Sequence, residues 1–588
     1  MKKCLPIIVV GILVLSGLGA VATNDEQKTN MISESITFSE PIIIEESQYV
    51  KVDLDEATSY LNIKGEPALP VVSKTYTFPF GTKIESVDVT FSDTSEQVIS
   101  KDVMPALGPQ YISTEFSKNV VSEPVRMIEV YSSEEIYPET IFDYRTGAGL
   151  DNGNHVVFLS VHYYPISYSP TENTLYIRDN ANIEISYNPP ENPINFPDAY
   201  DLLIIAPSEF SEELQPLVDF KNDNDVPTIL ATLDEIPSQG VDEQEDIKYF
   251  IKDAIEDYGI TYVLLVGAGI KDEELLPVRY AWIPSMPYED SFPSDLYYAD
   301  IYDSEGNFST WDNDSDGRYC EYPADEDAVD IYPDVYLARL PCNDESEVKD
   351  AVNKIKKFMQ KNKVTKKIVQ MGGDTFPGDG ENINEGEYAN ERVLEVLPGY
   401  TSKKLWGSNN KLTKLNIILG ISFGADFVDF SGHGSVVSWA THPPSDDSVW
   451  IPKGIQYTGF LYIHTWFLFN FNKLPVVVLN ACSTSKFAQS PNCLSWEFIK
   501  KKIGGAIATI GASGIGYGSQ GSSETSRLFG WMELHLHEQF FNTGILGDSW
   551  GNCITEYANS FPMDDGDFKT VVEMALFGDP SLDLGTAS

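Results

Sequence analysis

The 588-residue chain is poor in cations, cysteine and histidine: 40 Lys plus Arg stand against 89 Asp plus Glu, with six Cys and seven His. The formal net charge of −49 opposes approach to phosphate backbones and to anionic membrane surfaces, so no nucleic-acid partner is expected. Without a Cys-x-x-Cys pair, zinc ribbons and thioredoxin-like redox motifs drop out. No internal repeat is evident and no apolar tail follows Gly578, which argues against a solenoid and against a C-terminal anchor. A mainly disordered chain is excluded too, because 42% of residues are apolar and 12% aromatic. The length suggests about three or four structural units.

The chain opens with a leader pattern. Lys2 and Lys3 form a positive segment, Leu5 to Leu18 an apolar one, and Ala20-Val21-Ala22 a small-x-small cleavage signal, so residues 1–22 read as a signal peptide. The protein is then secreted or held at the cell surface, with no stable membrane insertion after the leader is removed. Five cysteines remain: Cys320, Cys342, Cys482, Cys493 and Cys553. An odd count in an oxidising compartment leaves at least one thiol unpaired. One further apolar run, Phe460 to Leu479, approaches bilayer-spanning length, but His464, Asn470, Asn472, Lys473 and Pro475 interrupt it. It reads as a buried insertion leading into a strand.

Residues 23–198 have the texture of a β-rich domain, with strands at Val156–Val161 and Ile183–Tyr187 and frequent turn residues. Pro189-Pro190-Glu191-Asn192-Pro193 marks a linker, and residues 199–588 form the second region. There, short apolar runs (202–205, 262–266, 368–371, 427–430, 476–479 and 506–510) alternate with helical patterns at 209–221, 244–257, 344–362, 386–397, 412–420 and 494–502. Strands buried on both faces and joined by helical crossovers predict an α/β domain with a mostly parallel sheet and flanking helices. Its functional site is expected at the C-terminal ends of the strands.

Two of those strands lead into chemistry. Phe427–Phe430 runs into Ser431-Gly432-His433-Gly434-Ser435, and Val476–Leu479 into Asn480-Ala481-Cys482-Ser483-Thr484. In a parallel sheet both ends share one edge, so His433 and Cys482 are expected to converge. A thiol beside an imidazole can ionise near neutral pH and attack a carbonyl carbon. The glycines around His433 allow a substrate backbone to approach and leave amide N–H groups for an oxyanion. If Cys482 stays reduced, the other four thiols are free to pair, Cys320 with Cys342 and Cys493 with Cys553, the alternative being Cys493 as a buried free thiol.

The ordered set Gly432-His433-Gly434-Ser435, Trp439, Leu474-Pro475, Ala481-Cys482, Gly504-Gly505-Ala506-Ile507-Ala508 and Leu576–Leu582 resembles the gingipain family of cysteine peptidases. The resemblance spans roughly residues 200–584, and Gly65–Pro70 with Pro79-Phe80-Gly81 looks like the family's propeptide. It implies a caspase-like fold, an endopeptidase acting on protein and peptide substrates, and an N-terminal domain that inhibits the enzyme. It further implies Cys482 as nucleophile, His433 as proton carrier, and backbone amides of Gly434 and Cys482 as the oxyanion hole. Asp374, after the strand 368–371, would orient the imidazole. Glu387 would line the S1 pocket and select Arg or Lys at P1. Two alternatives stay open at this point: an inactive surface binding or adhesion module, and a transpeptidase using the same acyl-enzyme chemistry.

Asp312-Asn313-Asp314-Ser315-Asp316-Gly317 resembles the start of an EF-hand-type loop. Pro323 stands where the twelfth-position Glu belongs, so Glu321, Asp325 or Asp327 must complete any site. A structural Ca²⁺ held by Asp312, Asp314, Asp316 and Glu321 is expected, and no organic cofactor. His535 and His537, two apart on a predicted helix, diverge and predict no metal pair.

Overall fold

The computed structural model of the protein describes residues 29–587 except 116–123, 271–273, 286, 323–326, 328, 362 and 455–457. The leader expected over 1–22 and Asp325 lie outside these residues. The N-terminal region is β-rich, as its strand-like runs and frequent turn residues predict. Among the described residues, three antiparallel sheets of three or four strands carry it, beside the two-stranded pair Ile42–Glu45 and Val50–Asp53: Asn30–Thr37, Asn180–Asn188 and Lys83–Phe91 form one, and Ser59–Tyr60, Pro70–Pro79, Asn154–Tyr163 and Phe142–Asp151 another. The third joins Ile166–Ser169, Thr174–Arg178 and Thr94–Val98. Their inner faces close over a core of their own that includes Leu69, Val157, Leu159, Tyr163, Ile183 and Ile185.

The second region is built on one ten-stranded sheet. Its strands in chain order are β1 (Leu202–Ala206), β2 (Thr228–Thr232), β3 (Tyr262–Val266), β4 (Tyr336–Leu340), β5 (Lys367–Gly372), β6 (Thr401–Trp406), β7 (Phe427–Ser431), β8 (Val476–Asn480), β9 (Ala508–Ala512) and β10 (Met574–Phe577). The spatial order is β2-β1-β3-β4-β10-β9-β8-β7-β5-β6. Every neighbouring pair is parallel except β9–β10. The sheet is therefore two parallel halves running in opposite directions, joined at that seam. Helices cover both faces, as the buried Leu202–Ala206, Val476–Asn480 and Ala508–Ala512 require.

The crossover helices sit close to the predicted spans: α1 (Ser211–Asn222), α2 (Glu243–Tyr258), α3 (Glu345–Lys361), α4 (Glu385–Glu395), α5 (Lys414–Ser422) and α6 (Leu494–Ile499), followed by α7 (Leu528–Asn542), α8 (Leu546–Ser560) and α9 (Asp565–Val572). In α3, Val348, Ala351, Val352, Ile355 and Phe358 recur every three or four residues and form the buried stripe. Helix α2 starts where Asp242 accepts from Glu245 N at 2.9 Å and stops at left-handed Gly259.

The four strands that sequence patterning passed over have reasons to be inconspicuous. Strands β2 and β6 are sheet edges, and β6 alternates exposed Thr401 and Lys403 with more enclosed positions. Strand β4 contains Arg339, whose buried guanidinium forks onto Asp295 at 2.7 and 2.8 Å. The short β10 closes the seam. Two expectations are corrected. All five described cysteines are free thiols buried in the core of the second region, so neither Cys320–Cys342 nor Cys493–Cys553 forms. The run from Phe460 splits: Val476–Asn480 is buried as β8, but Trp466, Phe467, Phe469 and Phe471 lie exposed on the surface.

The two regions are docked by several contacts. Ser59 and Ser73 donate to Ser560 O at 3.1 and 2.9 Å, Ala148 N donates to Asp330, and Leu150 N to Pro333 O. The deepest contact is the extended segment 110–114, which enters the edge formed by the ends of β7 and β8.

Candidate active site

Strands β7 and β8 pair in parallel register through Ser431 and Asn480, so His433 and Cys482 leave the same sheet edge two residues later. Gly434 makes the junction possible. A Cβ there would lie 2.3 Å from Cys482 O and 3.0 Å from Cys482 N, so only glycine lets the two loops touch. Ser483, directly after the cysteine, holds a left-handed φ of 57°, a conformation that non-glycine residues reach at a cost.

Segment 110–114 of the N-terminal region lies across this junction. Gln110–Tyr111 pairs antiparallel with Tyr517–Gly518, and Ile112 N donates to Gly516 O at 3.2 Å. Ile112 O accepts from Gly434 N at 2.9 Å and from Cys482 N at 3.2 Å. Thr114 N then donates to Gly434 O at 2.9 Å. Two amides thus converge on one carbonyl oxygen, with the thiol of Cys482 on the same residue. That is how a substrate carbonyl is held before nucleophilic attack.

The Cys482 thiol donates to Gly516 O at 3.1 Å and accepts from Gly516 N at 3.0 Å. Burial pushes it far above its ordinary range, and the carboxylates of Glu573 and Glu289 push the same way. Those acids belong to a buried ion cluster in which Lys569 Nζ lies 2.9 Å from Glu289 and 3.1 Å from Glu573. The cluster also grips the loop that carries Gly516, since Ile515 N donates to Glu289 at 2.8 Å.

The His433 imidazole is fully buried, between Phe376 and Trp450 at ring distances of 5.9 and 5.2 Å. Its Nε2 pairs with Thr375 O at 2.7 Å, which fixes the proton there and leaves Nδ1 as the free acceptor. Burial drives its pKa down to about 3, with His442 pushing the same way, against the hydrogen bond to Thr375 O and a lesser contact with the Ser113 backbone that favour protonation. In this state both the thiol and the imidazole are neutral.

The expected orienting role of Asp374 is corrected: a peptide carbonyl one residue later meets the imidazole. Past the end of β5, Asp374 forms a bridge with His442, which turns its side chain to the opposite loop, where it accepts from Ser445 N at 2.7 Å. Burial raises its pKa to about 6. Asp374 anchors the strand end whose next carbonyl holds His433. Glu387 is likewise accounted for by its own region. Its carboxylate accepts from Ser408 N, Ser408 Oγ and Asn384 Nδ2 at 2.8, 2.5 and 3.3 Å. It holds the loop after β6, where the helical register of α4 places it. Around the Ile112 side chain lie Gly518, Phe376 and Glu524. A Cβ on Gly518 would meet Ile112 Cγ2 at 2.9 Å, Glu524 Oε2 at 3.5 Å and Phe376 Cζ at 3.7 Å. Burial, with Glu385 and Glu533 nearby, raises Glu524 well above the carboxylate range. Its oxygens accept from Asn480 Nδ2 and Ser519 N, both at 3.2 Å.

Sequence reasoning placed Cys482 and His433 after neighbouring parallel strands, and the structure has them at that edge. It missed Thr375, because a backbone acceptor carries no side-chain signal, and Ile112, because nothing local distinguishes it from a core isoleucine.

The acidic loop folds on itself as its spacing predicts, with Asp312 accepting from Asp316 N at 3.0 Å. Carboxylate oxygens of Asp312, Asp314 and Asp327 lie within 4.8 Å of one another, as do those of Asp314, Asp316 and Glu321. Asp327, one of the three acids expected to complete the loop, joins Asp312 and Asp314, and its oxygens accept from Asn313 N and Glu321 N. His535 stacks on Trp531 and bonds Glu556, while His537 bonds Glu533 O, so the two do diverge.

Comparison with known proteins gives two family matches: "Peptidase family C25" over residues 196–585 and "Propeptide_C25" over residues 35–198. Gingipain R2 of Porphyromonas gingivalis (strain ATCC BAA-308 / W83) is 22% identical over 490 residues, covering 76% of this chain and 58% of that protein. Gingipain R1 of Porphyromonas gingivalis is 22% identical over 499 residues, covering 76% and 43% respectively. The chain thus spans little more than half the length of these relatives at most. Among solved structures, the complex of Porphyromonas gingivalis RgpB pro- and mature domains aligns at TM-score 0.47 and 20% identity, covering 65% of this chain and 79% of that one. The Arg specific cysteine proteinase gingipain R aligns at TM-score 0.49 and 19% identity, covering 66% and 79%.

Proposed function

The chain belongs to peptidase family C25, and from that premise we propose that it is an exported cysteine endopeptidase held latent by its own N-terminal region. The observation that carries this reading is the Ile112 carbonyl, bonded by the amides of Gly434 and Cys482. A substrate in that place is attacked at its carbonyl carbon by Cys482 Sγ, whose proton passes to His433 Nδ1. The two amides stabilise the oxyanion, and imidazolium returns the proton to the leaving amine as the C–N bond breaks. Water then hydrolyses the thioester with the imidazole as base. A pure binding module has no use for this constellation.

Latency follows from the same contacts. Segment 110–114 fills the cleft and keeps thiol and imidazole dry and neutral, so the nucleophile is both covered and protonated. Release of the segment rehydrates both groups and permits the ion pair.

The P1 side chain is read from the occupant. Ile112 is buried against Gly518 and Phe376, and the Glu524 carboxylate beside it already accepts from Asn480 Nδ2 and Ser519 N. A guanidinium or ammonium there would lose hydration without a free partner. We therefore read S1 as favouring branched aliphatic residues over Arg or Lys.

Calcium is proposed for the acidic loop. Asp312, Asp314, Asp316, Glu321 and Asp327 present hard oxygen donors in two overlapping groups, which suits Ca²⁺ and would tie the loop down.

The test uses activated protein and a peptide series differing only at P1. Cys482→Ala and His433→Ala are expected to abolish cleavage of every peptide. Cleavage by Cys482→Ala at near wild-type rate would sink the catalytic assignment. Cleavage after Arg in preference to Ile or Val would leave that assignment intact and refute the P1 reading.

A further inference from the structure

The surface aromatics that break the expectation of a buried insertion form one patch. Phe423, Phe471, Phe469 and Trp466 are 70%, 64%, 61% and 56% exposed, and Phe467 and Ile503 are exposed beside them. Three loops bring them together. Phe469 N donates to Ser422 Oγ at 3.1 Å, Lys473 Nζ to Phe423 O at 3.3 Å, and Lys501 Nζ to Trp466 O at 2.6 Å. Asn470 clasps the third loop through Gly505 N and O at 2.8 and 2.7 Å. At about 200 Å² per aromatic side chain, these residues expose on the order of 600 Å² of apolar surface, the upper end of what a monomer leaves uncovered.

Charge on the patch runs against the composition of the chain. Lys403 lies 5.6 Å over the Phe423 ring and Lys501 5.8 Å over the Phe469 ring, with Lys473 between the loops. Among the described residues no carboxylate lies within ion-pair distance of these three lysines, although acids outnumber bases 89 to 40. Aromatic side chains ringed by unpaired lysines match an interfacial lipid contact: rings enter at headgroup depth and ammonium groups meet lipid phosphates. A protein partner fits poorly, since protein interfaces deplete lysine. A second copy fits worse, since a two-fold contact would bury these lysines against their own counterparts.

Position in the fold supports the same occupant. Phe423 precedes β7, Phe469–Lys473 precedes β8 and Lys501–Ile503 precedes β9, so the patch lies at the N-terminal ends of these parallel strands. His433 and Cys482 follow the opposite ends. We propose that this face docks peripherally on a phospholipid bilayer surface, with the cleft turned to solution. The net charge of −49 opposes approach at long range, but screening over about 8 Å at physiological ionic strength lets the contact face decide.

The test is co-sedimentation of the full chain with vesicles of phosphatidylcholine alone and with vesicles containing about 30% phosphatidylglycerol. Wild type is expected to sediment with both, more with the anionic set, with a blue shift of tryptophan emission that Trp466→Ser abolishes. The triple variant Trp466→Ser/Phe469→Ser/Phe471→Ser, with unchanged circular dichroism, is expected to lose at least tenfold in partitioning. Lys403→Gln/Lys473→Gln/Lys501→Gln is expected to erase the preference for anionic vesicles. Wild type remaining in the supernatant with both vesicle types would overturn the proposal. So would a triple variant that sediments like wild type, or a wild-type dimer that the triple variant converts to monomer without any vesicle binding.

Discussion

Replacing Ile112 by Ala should loosen the latent state by an amount that the buried side chain sets. The change removes three carbons from a site that is almost wholly enclosed, leaving the Ile112 carbonyl and its two amide donors in place. At about 0.8 kcal/mol per buried CH₂-sized group, the loss is about 2.4 kcal/mol. Since 1.4 kcal/mol is a factor of ten, the population with segment 110–114 lifted should rise about fiftyfold. The readout is alkylation of Cys482 in the intact, native chain, followed by mass spectrometry. A His433→Ala background in both proteins prevents self-cleavage without altering the comparison. Because Cys482 is buried beneath the segment, its alkylation follows the lifted population while reclosing outpaces labelling. Cys320, Cys342, Cys493 and Cys553, equally buried in the core, serve as internal controls. An unchanged Cys482 rate in Ile112→Ala would refute the idea that this side chain seats the segment. A rise shared by all five thiols would show general loosening instead, and would refute it equally.

Other expectations follow from groups the fold has enclosed. Denatured but unreduced protein should alkylate at all five of these cysteines, and any pair protected until reduction would contradict the free-thiol assignment. Lys354 is buried against the carbonyls of Ile499 and Ala506, and burial pulls its pKa down to about 7. The unfolded chain then binds more protons between about pH 7 and pH 10, so this residue makes stability climb with pH through that window. Lys354→Met should remove the climb, by roughly 1–4 kcal/mol, in denaturant titrations at pH 7 and pH 10; parallel curves for both proteins would reject the burial argument. Added Ca²⁺ should raise the Tm of wild type and not of Asp314→Asn, which strikes the one carboxylate common to both groups in the acidic loop. Equal shifts in the two proteins would place the ion elsewhere.

Much of this molecule is written locally in its sequence, because burial on both faces demands continuous apolar runs. Leu202–Ile205, Phe427–Phe430 and Val476–Leu479 therefore announce parallel strands, and the residues at their ends, His433 and Cys482, announce where chemistry can converge. The stripe in Glu345–Lys361 likewise fixes a helix and its inward face. Composition gives the acidity, and the odd cysteine count raises the question of a free thiol. Only the tertiary structure decides the rest, since it depends on which distant segments meet. The reversal of direction at the β9–β10 seam is set by pairing between residues some 65 apart, which no local pattern encodes. The imidazole takes Thr375 O rather than the Asp374 carboxylate because a bridge to His442 rotates that strand end. Glu387 is spent on Ser408, and Ile112 reaches the amides of Gly434 and Cys482 across more than 300 residues of chain. The apolar run after Phe460 reads the same whether it is packed inside or laid on the surface. Its exposure is settled only by the loops around it, which cover Leu468 and leave Trp466, Phe469 and Phe471 outside.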